Sequence, residues 1–285
     1  MYLNTEKGAG SMIITLHGLT IAHSNIKTDI RIARESGFEA LEIIESKLLR
    51  YLDLGFKAEE LIPLFKKYSI KPVCINALKE VERIEPDQHA ELLKEAERLC
   101  KVAHTIGCAT IQLVPFCGLE GRPWSEVLEL TSKNIAEIAD IGKKYGIRFQ
   151  LECIAWSPIH SLSQGLQVIK QTGRDNVGIV VDFWHLWAGG ETTPDEVAKL
   201  DSSIIYGVHF CDGICHTEGT PWVEEDLRGF LPGEGEIPIK EWVEAVKSTG
   251  FDGVYSSELI SPKHWEWDLL EIACEIKSRV KKYIN

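Results

Sequence analysis

Short apolar runs alternate with longer amphipathic segments along most of the chain. The short runs have the length and composition of buried β-strands. They lie at 13–18, 40–45, 71–76, 109–115, 148–153, 177–182, 204–210 and 253–259. Between them, apolar residues recur at helical spacing, as in 91–106 and 127–145. The pattern predicts eight strand-helix units in sequence.

Strict alternation of strands and helices predicts a parallel sheet with right-handed crossovers. Eight such units close into a barrel of about 250 residues. We therefore predict an α/β fold, a (β/α)8 TIM barrel, as a single domain over residues 12–285. An open doubly wound sheet is the competing fold, but no glycine-rich phosphate loop follows the first strand. Residues 1–11 lack periodicity, which predicts a flexible N-terminal extension.

Four successive predicted strands end at residues that can bind a divalent cation. These residues are Glu152, Asp182, His209 and Glu258. A parallel barrel brings all its strand ends to one face, where barrel active sites lie. Three carboxylates and one imidazole form an oxygen-rich set that suits Mn²⁺, with Mg²⁺ or Co²⁺ as alternatives. The sequence therefore predicts a site for one divalent metal ion.

The first four predicted strands also carry polar residues at or towards their C-terminal ends. These are His17, Glu45, Asn76 and Gln112. They would face the same end of the barrel, so each is a candidate contact for substrate hydroxyls. A role in packing inside the barrel would explain His17 as well as a substrate contact does. Local capping would likewise explain the other three residues. Several tryptophans near this face could pack on the C–H faces of a sugar, or could serve in ordinary loop packing: Trp124, Trp184, Trp187, Trp222 and Trp265.

Composition and charge narrow the classes of function. The net charge of −12 argues against a nucleic-acid partner, because such proteins usually present a basic face. No apolar run reaches the roughly 18 to 20 residues that span a bilayer. The eight cysteines are scattered through apolar runs, and no signal peptide precedes them. Reduced core thiols and a cytoplasmic location are the expectation.

The chain resembles the xylose-isomerase-like barrel superfamily of sugar isomerases and epimerases over nearly all of residues 12–285. The resemblance rests on LEC at 151–153, VVDFWH at 180–185, GVHFCD at 207–212, Arg228 with LPGEGEI at 231–237, and SSEL at 256–259. It is similar above all to the ketohexose 3-epimerase and inosose-processing branches. The resemblance implies that Glu152, Asp182, His209 and Glu258 hold one metal. It also implies that both glutamates act as acid and base and that His185 and Arg228 bind substrate oxygens.

Such a site suits proton abstraction next to a carbonyl, with the cation stabilising the oxygen of the enediolate. We therefore predict a metal-dependent isomerase or epimerase whose substrate is a keto-sugar or an inosose. The sequence does not decide whether the protein forms a homo-oligomer. Relatives often form dimers or tetramers, but no segment of this chain identifies an interface. Acidic residues in the long connection at 211–237 disfavour a phosphate group, so we expect an unphosphorylated substrate.

One position departs from the pattern of the epimerases. Those relatives often carry a second glutamate six residues after the first ligand, where this chain has Pro158. Trp156 and His160 are candidates to contact substrate in its place. The identity of the substrate is therefore open.

Three other functions compete. A dehydratase of the inosose or 3-dehydroshikimate type would begin with the same proton abstraction and then expel a hydroxyl group. An apurinic-site endonuclease would need extra histidines on the early strands, where this chain has Asn76 and Gln112. A non-catalytic sugar-binding barrel would not need the complete ligand set.

Overall fold

Eight parallel strands close into a barrel in the computed structural model, which describes residues 12–116 and 118–284. The strands, β1 to β8, are Ile13–His17, Ala40–Ile44, Lys71–Lys79, Thr110–Val114, Arg148–Leu151, Val177–Asp182, Ile205–Phe210 and Val254–Ser257. Each strand pairs with the next in chain order, and β8 pairs with β1. The predicted TIM barrel is confirmed. The predicted flexibility of residues 1–11 concerns positions outside the described residues.

Helices surround the barrel. In the described part of the chain the α-helices, α1 to α12, are Ile26–Glu35, Glu45–Asp53, Ile62–Tyr68, Pro86–Ile106, Trp124–Lys143, Leu162–Thr172, Phe183–Ala188, Pro194–Val197, Glu224–Leu227, Ile239–Ser248, Pro262–Trp265 and Leu269–Ile284. Short 3-10 helices lie at Gly18–Ile21, Ala58–Leu61 and Ser202–Ile204. There are more helices than the eight predicted because loops at the C-terminal ends of strands contain short helices, such as α7 and α9. None of these helices is long and apolar enough to cross a membrane.

Side-chain alternation separates two environments. Phe149, Val181 and Phe210 point away from the barrel axis and are fully buried in the apolar layer under the helices. Gln112 and Gln150 point inward and hydrogen-bond to each other at 2.8 Å. Strand residues two apart share a face, so an inward Gln150 places the residue after Leu151 inward as well. The polar interior of the barrel thus begins below the strand ends that hold the predicted ligands.

A buried ion pair holds the first turn of the barrel in place. Lys47 of α2 lies 3.0 Å from Asp29 of α1, and both side chains are almost fully buried. The Lys47 ammonium also donates to the carbonyl oxygens of Gly18 and Ile21, each at 2.9 Å. These contacts connect α1 and α2 to the 3-10 helix that follows β1 and so fix the position of His17.

Replacing Lys47 by Met is expected to lower the free energy of unfolding by about 3–5 kcal/mol, because the Asp29 carboxylate loses its cation in a buried site. Denaturant unfolding followed by circular dichroism measures the loss. Lys94→Met is the matched control, since Lys94 and its partner Glu91 are both exposed. The control should change stability by no more than about 1 kcal/mol. Equal losses in the two variants would contradict the structural role of Lys47.

Candidate metal centre and active site

Four buried side chains meet at the C-terminal end of the barrel. Glu152 directly follows β5, Asp182 ends β6, His209 lies within β7 and Glu258 directly follows β8. One ligand atom from each lies within 4.8 Å of those of the other three. All four are at most 5% exposed. The structure thus brings together the residues that the strand ends predicted.

The spacing of these atoms fits a divalent cation. Nδ1 of His209 lies 2.8 Å from a Glu152 oxygen, 3.3 Å from an Asp182 oxygen and 3.4 Å from a Glu258 oxygen. Neighbouring ligands of a cation with bonds of about 2.1 Å are about 3 Å apart. Oxygen-rich sets of this kind bind Mg²⁺ or Mn²⁺, and carboxylate and imidazole together also bind Zn²⁺. The cluster is a candidate site for one divalent metal.

Arg228 lies against the carboxylates of this cluster. Its Nη2 donates to Asp182 at 2.9 Å and also to Glu258, and its Nη1 lies 2.9 Å from Nε2 of His185. The guanidinium carbon lies 5.3 Å from the centre of the Trp184 ring. The structure therefore places both predicted substrate-binding residues, His185 and Arg228, beside the four candidate ligands.

The local environment changes the proton affinity of these groups. Burial opposes the charge on Asp182, but the Arg228 guanidinium together with the His185 and His209 rings outweighs it, and the pKa of Asp182 lies well below its usual range. Burial raises the pKa of Glu152, and His209 only partly offsets this rise. Burial also lowers the pKa of His185 to about 3, so this ring is neutral at pH 7. Of the two carboxyl groups, Glu152 therefore takes up a proton far more readily than Asp182.

The sequence prediction missed Glu42, a buried carboxylate in the middle of β2. Its Oε1 lies 3.2 Å from Nε2 of His209 and accepts a hydrogen bond from the Asn76 amide at 3.2 Å. His17 also contacts this carboxylate, with its Nε2 at 3.7 Å. The signal was available, because a glutamate inside an otherwise apolar buried strand is unusual.

Glu45, predicted as a substrate contact, lies outside the metal cluster. β2 ends at Ile44, and Glu45 is the first residue of α2. It lines a separate cavity of about 420 Å³ together with Lys79 and Arg83. The predicted strand extended β2 by one residue, and because side chains alternate along a strand, Glu45 does not share the inward face of Glu42.

Gln112, also predicted as a substrate contact, donates to Oε2 of Glu152 at 3.0 Å. Gln150 in turn donates to the Gln112 carbonyl oxygen. A row of side-chain amides inside the barrel thus fixes one oxygen of Glu152. Asn76 likewise donates to one oxygen of Glu42. The side chains of Gln112 and Asn76 therefore each orient a buried carboxylate of the site.

Aromatic rings line the wall next to His185. Trp156 has its ring centre 5.3 Å from that of His185 and 5.7 Å from that of Trp222. Trp222 belongs to the long connection after β7 and stacks on His216, with ring centres 3.9 Å apart. His160 lies farther out, with its Nε2 3.3 Å from a Glu191 oxygen, in a cavity of about 350 Å³ that Trp156 also lines.

The long connection after β7 is held by Asp212, which the sequence reasoning did not identify. Its carboxylate accepts backbone N–H groups from Gly213 at 2.8 Å, Gly233 at 2.7 Å and Gly235 at 3.0 Å. A side chain at Gly235 would collide with the Asp212 carboxylate. The glycines of the PGEG segment therefore permit the close approach that folds this connection back beside Arg228.

A family model described as "Xylose isomerase-like TIM barrel" matches residues 30–275. The chain belongs to this family. The fold and the resemblance of its motifs agree with that membership. Family membership leaves the reaction open, since a barrel of this kind can carry several chemistries.

Similar proteins include isomerases and a dehydratase. An inosose isomerase of Bacillus velezensis is 27% identical over 252 residues, which cover 87% of this chain and 88% of that protein. A 3-dehydroshikimate dehydratase of Pseudomonas putida is 22% identical over 229 residues, which cover 79% of this chain but 34% of that protein. The 1.8 Å crystal structure of the IOLI protein with a zinc atom superposes with a TM-score of 0.89 at 25% identity, covering 96% of this chain and 98% of that one.

Proposed function

We propose that this protein is a divalent-metal-dependent isomerase or epimerase that acts next to the ketone of an inosose or keto-sugar. One observation carries the proposal: three carboxylates and one imidazole from four strands converge at the face where barrel active sites lie. Similarity to inosose isomerases over 87% of the chain supports the reaction class and favours a cyclic polyhydroxy ketone.

The metal would be held by Glu152, Asp182, His209 and Glu258. A divalent cation bound there supplies polarisation of the substrate carbonyl oxygen, which lowers the cost of negative charge on that oxygen. The oxygen-rich donor set favours Mn²⁺, with Mg²⁺ or Co²⁺ as alternatives. The zinc atom in the IOLI structure adds Zn²⁺ to the metals that need testing.

The two glutamates are the proposed acid and base. Glu152 follows β5 and Glu258 follows β8, three strands apart in a ring of eight, so they approach the centre from different sides. A substrate carbon between them presents one face to each carboxylate. One glutamate removes the proton next to the ketone, and the other returns a proton to the opposite face, which inverts the carbon. Protonation of the neighbouring carbon of the enediol instead moves the carbonyl group by one position.

Neighbouring residues hold both glutamates in position. Gln112 donates to one oxygen of Glu152, and Arg228 donates to one oxygen of Glu258. The other oxygen of Glu258 lies 3.3 Å from Nε2 of His17. These contacts fix the orientation of each carboxylate toward a bound substrate. A carboxylate held in this way transfers a proton faster than a freely moving, solvent-exposed carboxylate does.

The substrate would lie between the metal ligands and the aromatic wall. His185 and Arg228 are the polar groups beside the ligands, and Trp156 and Trp222 offer flat apolar surfaces for the C–H faces of a ring. Glu224 also pairs with Arg228, at 3.1 Å. With its Nη atoms shared among carboxylates, Arg228 offers little to a phosphate group, so we propose an unphosphorylated substrate.

A dehydratase is the second candidate, because the Pseudomonas putida relative carries that name. It would use the same proton abstraction and then release a hydroxyl group as water. An apurinic-site endonuclease is disfavoured, since Asn76 and Gln112 hydrogen-bond to Glu42 and Glu152 where such enzymes place histidines. The net charge of −12 also opposes DNA binding.

A product screen tests the proposed reaction. Protein stripped of metal by a chelator is reloaded with Mn²⁺, Zn²⁺, Mg²⁺ or Co²⁺ and incubated with inososes, ketohexoses and 3-dehydroshikimate. We expect isomeric products by NMR from an inosose or ketohexose, only in reloaded samples. A product that absorbs in the ultraviolet, formed with loss of water, would replace the isomerase proposal by the dehydratase. Full turnover in the stripped protein would contradict the metal dependence.

A further inference from the structure

Glu42 is a buried carboxylate that the proposed reaction does not use. It is 1% exposed and lies within β2, between the strands that carry His17 and Asn76. Burying an ionised carboxylate costs several kcal/mol unless its partners compensate. The partners of Glu42 therefore show what this residue contributes.

The main partner is His209 of β7, three strands away around the barrel. Oε1 of Glu42 lies 3.2 Å from Nε2 of this ring. The other nitrogen, Nδ1, faces the oxygens of Glu152, Asp182 and Glu258. An imidazole that binds a metal through one nitrogen carries its proton on the other, where a carboxylate commonly accepts it.

We propose that Glu42 is a positioning residue that accepts the Nε2–H of His209 and thereby directs Nδ1 of this ring to the metal. The inference rests on the proposed metal site and goes beyond it, since it assigns the binding nitrogen and the tautomer of His209. Glu42 contacts the nitrogen that faces away from the other ligands, so it acts through His209.

The surroundings of Glu42 make this contact rigid. Asn76 donates to the same oxygen at 3.2 Å, so the carboxylate has a fixed orientation. Glu42 and His17 are paired positions on adjacent strands, and strands hold side chains more firmly than loops do. The carboxylate also links the metal site to His17, which lies 3.3 Å from Glu258.

Metal affinity tests this role without relying on turnover. Competition with a fluorescent chelator gives the dissociation constant for Zn²⁺ and Mn²⁺ in the wild type, Glu42→Ala and Glu42→Gln. We expect Glu42→Ala to weaken binding by about 10- to 100-fold, the usual effect of removing such a partner. Glu42→Gln keeps an acceptor oxygen and the same shape, so it should lose less. Thr15→Val is the control, because Thr15 is fully buried on β1 and its hydroxyl donates to the carbonyl oxygen of Ile13 in the same strand.

The tautomer of His209 gives an independent readout. In zinc-loaded protein with ¹⁵N-labelled histidine, long-range ¹H–¹⁵N correlation should show Nε2 protonated and Nδ1 without a proton. Zinc bound through Nε2, or Glu42→Ala binding metal as tightly as the wild type, would overturn the role of Glu42 alone. A wild type that binds no metal would overturn the proposed function together with this inference. Circular dichroism confirms that each variant is folded, and Glu42→Gln covers the case in which Glu42→Ala does not fold.

Discussion

Replacing Glu258 by Gln is expected to lower kcat by about 10²- to 10⁴-fold, the usual contribution of a positioned acid or base. The amide has the same shape but can neither accept the proton next to the ketone nor return one. Glu152→Gln is expected to have an effect of the same order, because a reaction that needs both faces of the carbon fails without either group. Steady-state kinetics with the substrate found by the product screen measures both effects.

Two controls separate proton transfer from loss of metal. Both glutamates are also proposed ligands, so each variant is assayed at saturating metal, with bound metal measured in the same sample. Glu97→Gln on the surface of α4 is the matched control and should leave kcat unchanged, since Glu97 pairs only with exposed groups such as Lys101 and Tyr145. A metal-loaded Glu258→Gln variant with wild-type kcat would exclude Glu258 as acid or base.

Replacing Arg228 by Met is expected to lower the free energy of unfolding of the metal-free protein by about 3–5 kcal/mol. Arg228 is 2% exposed, and its Nη2 bridges Asp182 and Glu258. Without the guanidinium, these buried carboxylates face each other with less compensating charge. Urea unfolding followed by circular dichroism measures the change.

A surface arginine is the control for Arg228. Arg31 lies 2.6 Å from Glu35, but both side chains are at least 40% exposed. Arg31→Met should therefore cost no more than about 1 kcal/mol. Adding Mn²⁺ or Zn²⁺ should recover part of the stability of Arg228→Met, because a cation offsets the same carboxylates. A loss as small as that of Arg31→Met would mean that Arg228 does not compensate these charges.

The convergence of the four candidate ligands could be predicted from the sequence because two local rules combine. Alternating strands and helices define a parallel barrel, and a parallel barrel gathers its strand ends at one face. Glu152, Asp182, His209 and Glu258 each end a predicted strand or lie one residue before its end, so their convergence follows from the fold. No contact between distant residues had to be known in advance.

The supporting contacts depend on geometry that strand patterns do not contain. The predicted second strand ended at Glu45, whereas β2 ends at Ile44 and Glu42 is the carboxylate that points inward to His209. Asn76 and Gln112 were predicted to face substrate, yet both hydrogen-bond to buried carboxylates from other strands. Such pairings depend on strand register and side-chain length across the barrel, which a single sequence does not reveal.

The connection between β7 and α10 shows the same limit. Within this connection, Glu224–Leu227 forms the short helix α9. Asp212 fixes the PGEG segment by accepting backbone N–H groups twenty or more positions along the chain. This placement brings Arg228 to the carboxylates of Asp182 and Glu258. Asp212, which had no predicted role, therefore supports the arginine that the motif identified.

Solvent exchange at the carbon next to the ketone tests the central claim most directly. Metal-loaded protein is incubated in D₂O with an inosose, and ¹H NMR follows the proton on the carbon beside the carbonyl. The proposed chemistry predicts that this proton is replaced by deuterium in the wild type, and that exchange stops after chelation and when both Glu152 and Glu258 are replaced by Gln. Isomerisation of the inosose with no deuterium incorporated, or exchange that continues unchanged in the chelated protein, would contradict proton abstraction by these residues at a metal site.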